Sequence, residues 1–277
     1  MNITKHIKLT EKQKLAMLEL AEICQLQESI SVQLYPEETD ENQIFYLLTD
    51  EQQQLISFFS LTCYEEECLV YAFTHPDHRR KGYFDLLFDQ AYEENIGPAF
   101  LFTVDDNCKD ALAVLQKLEC IRTETEYLLQ YRITGSEMMP SSISLFPCRD
   151  TELLTSLHHA CFSDYPEEFS QSFVEEFVTE DNMADMESFV IQKDGSNVGV
   201  GFCVYQEDLV YLAGFGVLPP FQRQHIAFDT LLMLSRQLSD DYSFLCVQVS
   251  DENTAAFQLY QTFGFETTNA VHTYLFE

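Results

Sequence analysis

One local pattern occurs twice in this chain, 143 residues apart. An apolar run of strand length ends at a proline, passes through a short loop rich in cations and amides, and opens an apolar helix. The two copies read THPDHRRKGYF over 74–84 and VLPPFQRQHIA over 217–227. At that offset Pro76 falls on Pro219, Arg79 on Gln222 and Gly82 on His225. A shared register through strand, loop and helix points to two copies of one α+β unit rather than one large fold. The length agrees, because 277 residues suffice for two domains that each bury a core.

The wider order of elements repeats as well. In the first copy, residues 10–28 place Leu15, Leu18, Ala21 and Leu26 at helical spacing, with Thr10 as N-cap ahead of Gln13. Three aromatic-rich strands follow at 43–50, 53–63 and 68–75, then a helix over 84–94, a buried strand over 99–106, a helix over 109–118 and a closing strand over 124–133. GSEMMPSS, at 135–142, has the Gly, Pro and Ser content of a linker. The second copy runs strand, two helices, a hairpin turning at Asp194-Gly195, a third strand, helix, strand, helix and a last strand, HTYLFE. The expected domains are 1–134 and 143–277, joined by 135–142.

Charge narrows the partners. Asp plus Glu number 46 against 15 Lys plus Arg, a net charge of −31, which disfavours nucleic-acid backbones and anionic membranes. That acidity serves solubility and also favours a cationic ligand. The nine cysteines include no C-x-x-C pair and read as reduced, mostly buried thiols. The start, MNITKHIKLTEKQKLAML, lacks the layout of a secretory signal, and no run of eighteen apolar residues follows, so a cytoplasmic location is expected.

The repeated loop carries the chemistry. A strand-to-helix loop aims unpaired backbone N–H groups at one point, where the helix dipole adds positive potential, and such a site suits a pyrophosphate. In the first copy Arg79, Arg80 and Lys81 add charge and Gly82 lets the backbone approach closely. Other patterns carry no site. His158, His159 and Cys161 are not spaced as metal ligands, so no metal is expected. Gly199/Gly201 and Gly214/Gly216 read as close strand packing, and hydrolase or nucleoside triphosphatase motifs are absent.

Arg79-x-x-Gly82-x-Phe84 and Gln222-x-x-His225-x-Ala227 resemble the coenzyme A pyrophosphate loop of the GNAT acetyltransferase superfamily. The stretch from Asn253 through Tyr260 to Gly264-Phe265 is similar to that family's N-x-x-A-x-x-L-Y-x-x-x-G-F signature. The resemblance implies two tandem domains of α+β, three-layer type. Each is a mixed, twisted sheet flanked by helices that splays at the end of its fourth strand, where acetyl-CoA lies. Carried over by position, it implies cofactor contacts at Ala72, Phe73 and Thr74 and through Arg80, Lys81, Gly82, Tyr83 and Phe84 in the first copy. In the second it implies Phe215, Gly216 and Val217, then Arg223, Gln224, His225, Ile226 and Ala227, with Asn253 near the cofactor arm. Tyr260 is implied as the acid that protonates the departing thiolate, and Glu67, at the start of the fourth strand, is the candidate base.

Each copy departs from the pattern. The first has Leu115 where Tyr belongs and Glu119-Cys120 where Gly-Phe belongs, and the second has His225 at the glycine position. Three assignments stand, with cofactor in the first copy, the second, or both. Loop integrity favours the first for affinity, and Tyr260 favours the second for acid catalysis. The expected activity is N-acetyl transfer from acetyl-CoA to a primary amine of a small molecule or peptide, by direct attack in a ternary complex, with the acidic loops 28–42 and 163–185 lining the acceptor cleft. The alternative is a non-catalytic acyl-CoA-binding or protein-interaction module.

Overall fold

The computed structural model describes residues 1–28, 42–64, 66–135, 142–178 and 185–277. Most of the expected linker and much of the two acidic loops therefore lie outside the described residues. The described chain divides into one unit of Met1–Glu126 with Asn269–Glu277 and another of Tyr127–Thr268. These units differ from the consecutive blocks expected. The end of the last strand belongs to the first unit, and Tyr127–Thr134 belongs to the second.

The first unit opens with a short strand, β1 (Asn2–His6), and a helix, α1 (Glu11–Glu28). Thr10 and Gln13 form a reciprocal cap, with Gln13 N–H donating to Thr10 Oγ1 at 3.3 Å and Thr10 N–H to Gln13 Oε1 at 2.9 Å. Then come β2 (Gln43–Thr49), β3 (Leu55–Cys63), β4 (Glu67–Thr74), α2 (Tyr83–Glu94), β5 (Ala99–Asp105), α3 (Lys109–Lys117) and the first half of β6 (Ile121–Arg132). Strands β1 to β4 pair antiparallel, β4 and β5 parallel, and β5 antiparallel with Val271–Phe276 of the chain's last strand. Both sheet faces are covered, so β2 reads as a continuous apolar run. Phe45 and Leu47 pack against α1, whereas Tyr46 and Leu48 join Phe59, Phe100, Leu87 and Leu115.

Two expectations need correction here. The buried face of α1 is Met17, Leu20, Ala21 and Cys24, while Leu15, Leu18 and Leu26 are exposed. Spacings of three, one and three place the buried set on one stripe facing β2 and β3. Cys63 and Cys68 form a disulfide rather than remaining thiols. They stand directly opposite each other in the β3–β4 register, which the five-residue spacing alone does not reveal.

The second unit contains β7 (Ser144–Pro147), α4 (Thr151–Cys161), α5 (Glu167–Val178), β8 (Met186–Lys193), β9 (Ser196–Gln206), β10 (Leu209–Val217), α6 (Ile226–Leu238), β11 (Phe244–Ser250), α7 (Thr254–Phe263) and the start of β12 (Glu266–Phe276). Strands β7 to β10 are antiparallel and β10–β11 parallel, repeating the first unit's plan. The β8–β9 turn has Asp194 at φ 50° and Gly195 at φ 77°, as a two-residue hairpin turn requires. Asp150 caps α4 by accepting from Leu153 N–H at 3.1 Å.

Candidate acyl-CoA cleft

In each unit the sheet splays where a parallel pair stops early. In the first, β4 pairs with β5 from Glu67 to Val70, then continues to Thr74 paired with β3 only. In the second, β10 pairs with β11 from Leu209 to Tyr211 and continues to Val217 paired with β9 only.

The loops beyond these two strands share one backbone. Each begins with a single 3-10 turn, Pro76–His78 or Pro219–Phe221. Arg79 and Gln222 both sit at φ −65°, ψ 161°. Arg80 and Arg223 follow at φ 59° and 58°. Gly82 (φ 77°, ψ 14°) and His225 (φ 63°, ψ 5°) then open α2 and α6 from the left-handed region. The β-carbon of His225 therefore does not force a different path. In α2 the first helical bond runs from Leu86 N–H to Gly82 O at 3.1 Å, leaving the N–H groups of Tyr83, Phe84 and Asp85 outside the ladder.

A cleft of about 580 Å³ opens at the splay of the first unit. Its walls are mostly apolar, from Val70, Ala72, Phe73, Phe84, Phe102, Val104, Ala111, Val114 and Leu115. Of the first copy's expected cofactor contacts, Ala72, Phe73, Thr74, Arg79, Arg80, Gly82, Tyr83 and Phe84 line it. Lys81 does not line it; its ammonium donates to Asp77 O at 2.9 Å. A β-carbon built on Gly82 meets nothing within 4 Å, so the space over the start of α2 is open to an incoming group. The cleft thus fits a pantetheine arm with a pyrophosphate at the helix start.

Several residues lining the cleft escaped sequence reasoning, among them Glu28, Asp105, Cys108 and Asp110. Arg79 donates from Nη1 to Glu28 Oε1 at 2.7 Å and from Nε to Thr74 O at 3.1 Å. Arg80 donates to Asp110 Oδ1 at 2.7 Å, and this hydrogen bond lowers the carboxyl's pKa. Asp105 is buried, accepting from Asn107 N–H at 2.9 Å and from Asn269 Nδ2 at 2.5 Å. Cys108 caps α3 in nearly the same backbone conformation as Asn253 caps α7, with φ −81° against −84°. Its thiol donates to Glu28 Oε2 at 3.3 Å; burial, then the charge and hydrogen bond of Glu28, push it up to about 12.

The candidate acid and base lie elsewhere. Glu67 is exposed at the opposite end of β4 from Thr74, roughly 20 Å away at the usual rise per residue. Tyr260 is a core residue of the second unit, against Phe265, and burial raises its pKa. In the first unit the matching Leu115 is buried on the cleft wall.

The expected contacts of the second copy are spread over its own core and surface. Val217 and Ile226 are buried, and Phe215 and Ala227 pack against the same core. Gln222 donates from Nε2 to Val217 O at 3.0 Å, and Arg223, Gln224 and His225 are exposed. Gly216 backs onto Cys161, whose Cβ would lie 2.5 Å from an added β-carbon. Asn253 caps α7 by accepting from Ala256 N–H at 3.1 Å.

Residues 154–265 match the acetyltransferase (GNAT) family. The whole chain is similar to a GCN5-related N-acetyltransferase from Sphaerobacter thermophilus, with TM-score 0.73, 12% identity and 99% and 95% of the two chains covered. It is also similar to a tandem GNAT protein from the clavulanic acid biosynthesis pathway, with TM-score 0.70, 13% identity and 99% and 98% covered. A GNAT-family acetyltransferase from Colwellia psychrerythraea gives TM-score 0.71 at 15% identity, with 100% of both chains covered. No curated protein sequence matches the chain. The likeness to the solved structures shows the tandem GNAT fold for the whole chain. Among the described residues no helix is long and apolar enough to cross a membrane.

Proposed function

We propose that this protein is an acetyl-CoA-dependent N-acetyltransferase whose first unit holds the cofactor and whose acceptor is a primary amine of a small molecule or peptide. The observation that carries this reading is the 580 Å³ cleft at the β4–β5 splay, with its open approach over Gly82. Apolar walls suit a pantetheine arm, and free N–H groups at the start of α2 suit a pyrophosphate. Transfer proceeds by direct attack of the neutral amine on the thioester, driven by positioning in a ternary complex. The amine's proton passes to a carboxylate or water at the splay. Glu28, Asp85, Asp105 and Asp110 are the carboxylates lining the cleft, and Glu67 is not among the lining residues. Leu115 donates no proton, so the departing thiolate takes one from water or from the Tyr71 or Tyr83 hydroxyl. The strongly negative chain favours a cationic acceptor.

Leu115 also supports a second reading, in which the unit binds acyl-CoA without turning it over. Acetyl-CoA titration with an amine panel, followed by release of free thiol, separates the two. Binding with thiol release supports the transferase, and binding without release for any amine supports the module. No binding overturns both.

A further inference from the structure

Glu28, in α1, is a carboxylate held largely out of solvent, its side chain only 14% exposed. A charge held there without a partner is costly. Arg79 supplies the partner through the 2.7 Å ion pair, while its Nε serves the Thr74 carbonyl. With its side chain 17% exposed, this guanidinium is engaged inside the protein. The second oxygen of Glu28 accepts from Cys108. One carboxylate therefore joins α1, the loop after β4 and the start of α3 on the wall of the cleft.

The second unit is an internal control. Gln222 has the backbone angles of Arg79 and makes the same bond to the strand end, to Val217 O at 3.0 Å. A neutral amide thus suffices to hold the loop's shape. The positive charge of Arg79 serves Glu28 at 2.7 Å and, at 3.7 Å, Asp110.

We propose that Arg79 and Glu28 are a positioning pair that sets the wall of the acyl-CoA cleft, and that Arg79 is not a ligand of the cofactor's phosphates. The inference rests on the reading of the first unit as the cofactor site. Phosphate contact falls instead to the N–H groups at the start of α2 and to Arg80, whose side chain is 85% exposed and free to swing away from Asp110.

The test is calorimetric titration of acetyl-CoA, and separately of adenosine 3′,5′-bisphosphate, into the full chain and its variants. Arg79→Gln keeps a donor for Thr74 O but leaves Glu28 unpaired, and it should weaken acetyl-CoA binding about tenfold. Adding Glu28→Gln removes the stranded charge and should restore affinity to within about threefold of wild type, the non-additivity expected of a coupled pair. Arg80→Ala should weaken both ligands, and Glu28→Gln should not restore it. The double variant carries no unpaired charge, so it remains informative if Arg79→Gln folds poorly. A double variant as weak as Arg79→Gln would make Arg79 a phosphate ligand and overturn the proposal. Unchanged binding by Arg79→Gln would overturn it too. No binding by the wild type removes the cofactor reading itself, whereas binding with the wrong pattern removes only the pair.

Discussion

Gly82 and His225 share a left-handed backbone at equivalent loop positions, so the cost of a β-carbon there is directly measurable. The left-handed region costs a side-chain-bearing residue about 1–2 kcal/mol relative to glycine. His225→Gly should therefore stabilise the protein by about 1 kcal/mol in urea titrations. Gly82→His should cost a similar amount yet still fold, because nothing lies within 4 Å of the added β-carbon, and it should lose acetyl-CoA binding. Cys108 offers a pH test. Burial and the Glu28 carboxylate both penalise its thiolate, so its pKa is raised to about 12. Alkylation of Cys108 by N-ethylmaleimide, mapped by peptide mass spectrometry, should stay slow at pH 9 and keep rising well above it. A midpoint near the ordinary thiol value would contradict the burial of Cys108 beside Glu28. The same sign means that ionising Cys108 costs stability as pH climbs from 9 towards 12. None of this local geometry was legible beforehand. Sequence names His225 but not its φ, and Glu28 meets Arg79 across 51 residues of chain.

Helix α1 shows where element-level patterns mislead. Of its four leucines only Leu20 is buried, so leucine spacing alone marked Leu15, Leu18 and Leu26 as one face. The face that packs uses Met17 and Cys24 instead. Met17→Ala should cost about 2–5 kcal/mol by leaving a cavity, whereas Leu26→Ala should stay within about 0.5 kcal/mol of wild type. Thermal and urea unfolding check both. The order of strands and helices was legible because long apolar runs, turn residues and caps coincide. Strand β1 was not, since NITKH is short and largely half-buried or exposed. The Cys63–Cys68 bridge depended on hairpin register rather than spacing. Closing so short a loop should add about 2 kcal/mol, read as the difference between oxidised and reduced protein in urea.

The family match and the cleft fall in different parts of the molecule. The matched stretch, 154–265, holds Asn253, Tyr260 and Gly264, which cap and fill the second unit's own helix and core. The 580 Å³ cleft belongs to the first unit, under the loop with the intact glycine. Sequence reasoning found both loops and left the choice between them open, because a cavity depends on side chains from several distant elements. The chain's end matters to that cavity. Val271–Phe276 pairs with β5, placing His272 opposite Val104 and Asn269 against Asp105. Truncation after Thr268 should therefore destabilise the first unit and abolish acetyl-CoA binding, although the deletion is far from the loop in sequence. The central claim is that the first unit alone holds the cofactor, and calorimetric titration of acetyl-CoA into Gly82→Trp and His225→Trp beside the wild type tests it most directly. The account predicts that Gly82→Trp abolishes binding while His225→Trp binds like the wild type; binding that survives Gly82→Trp and is lost in His225→Trp would contradict it.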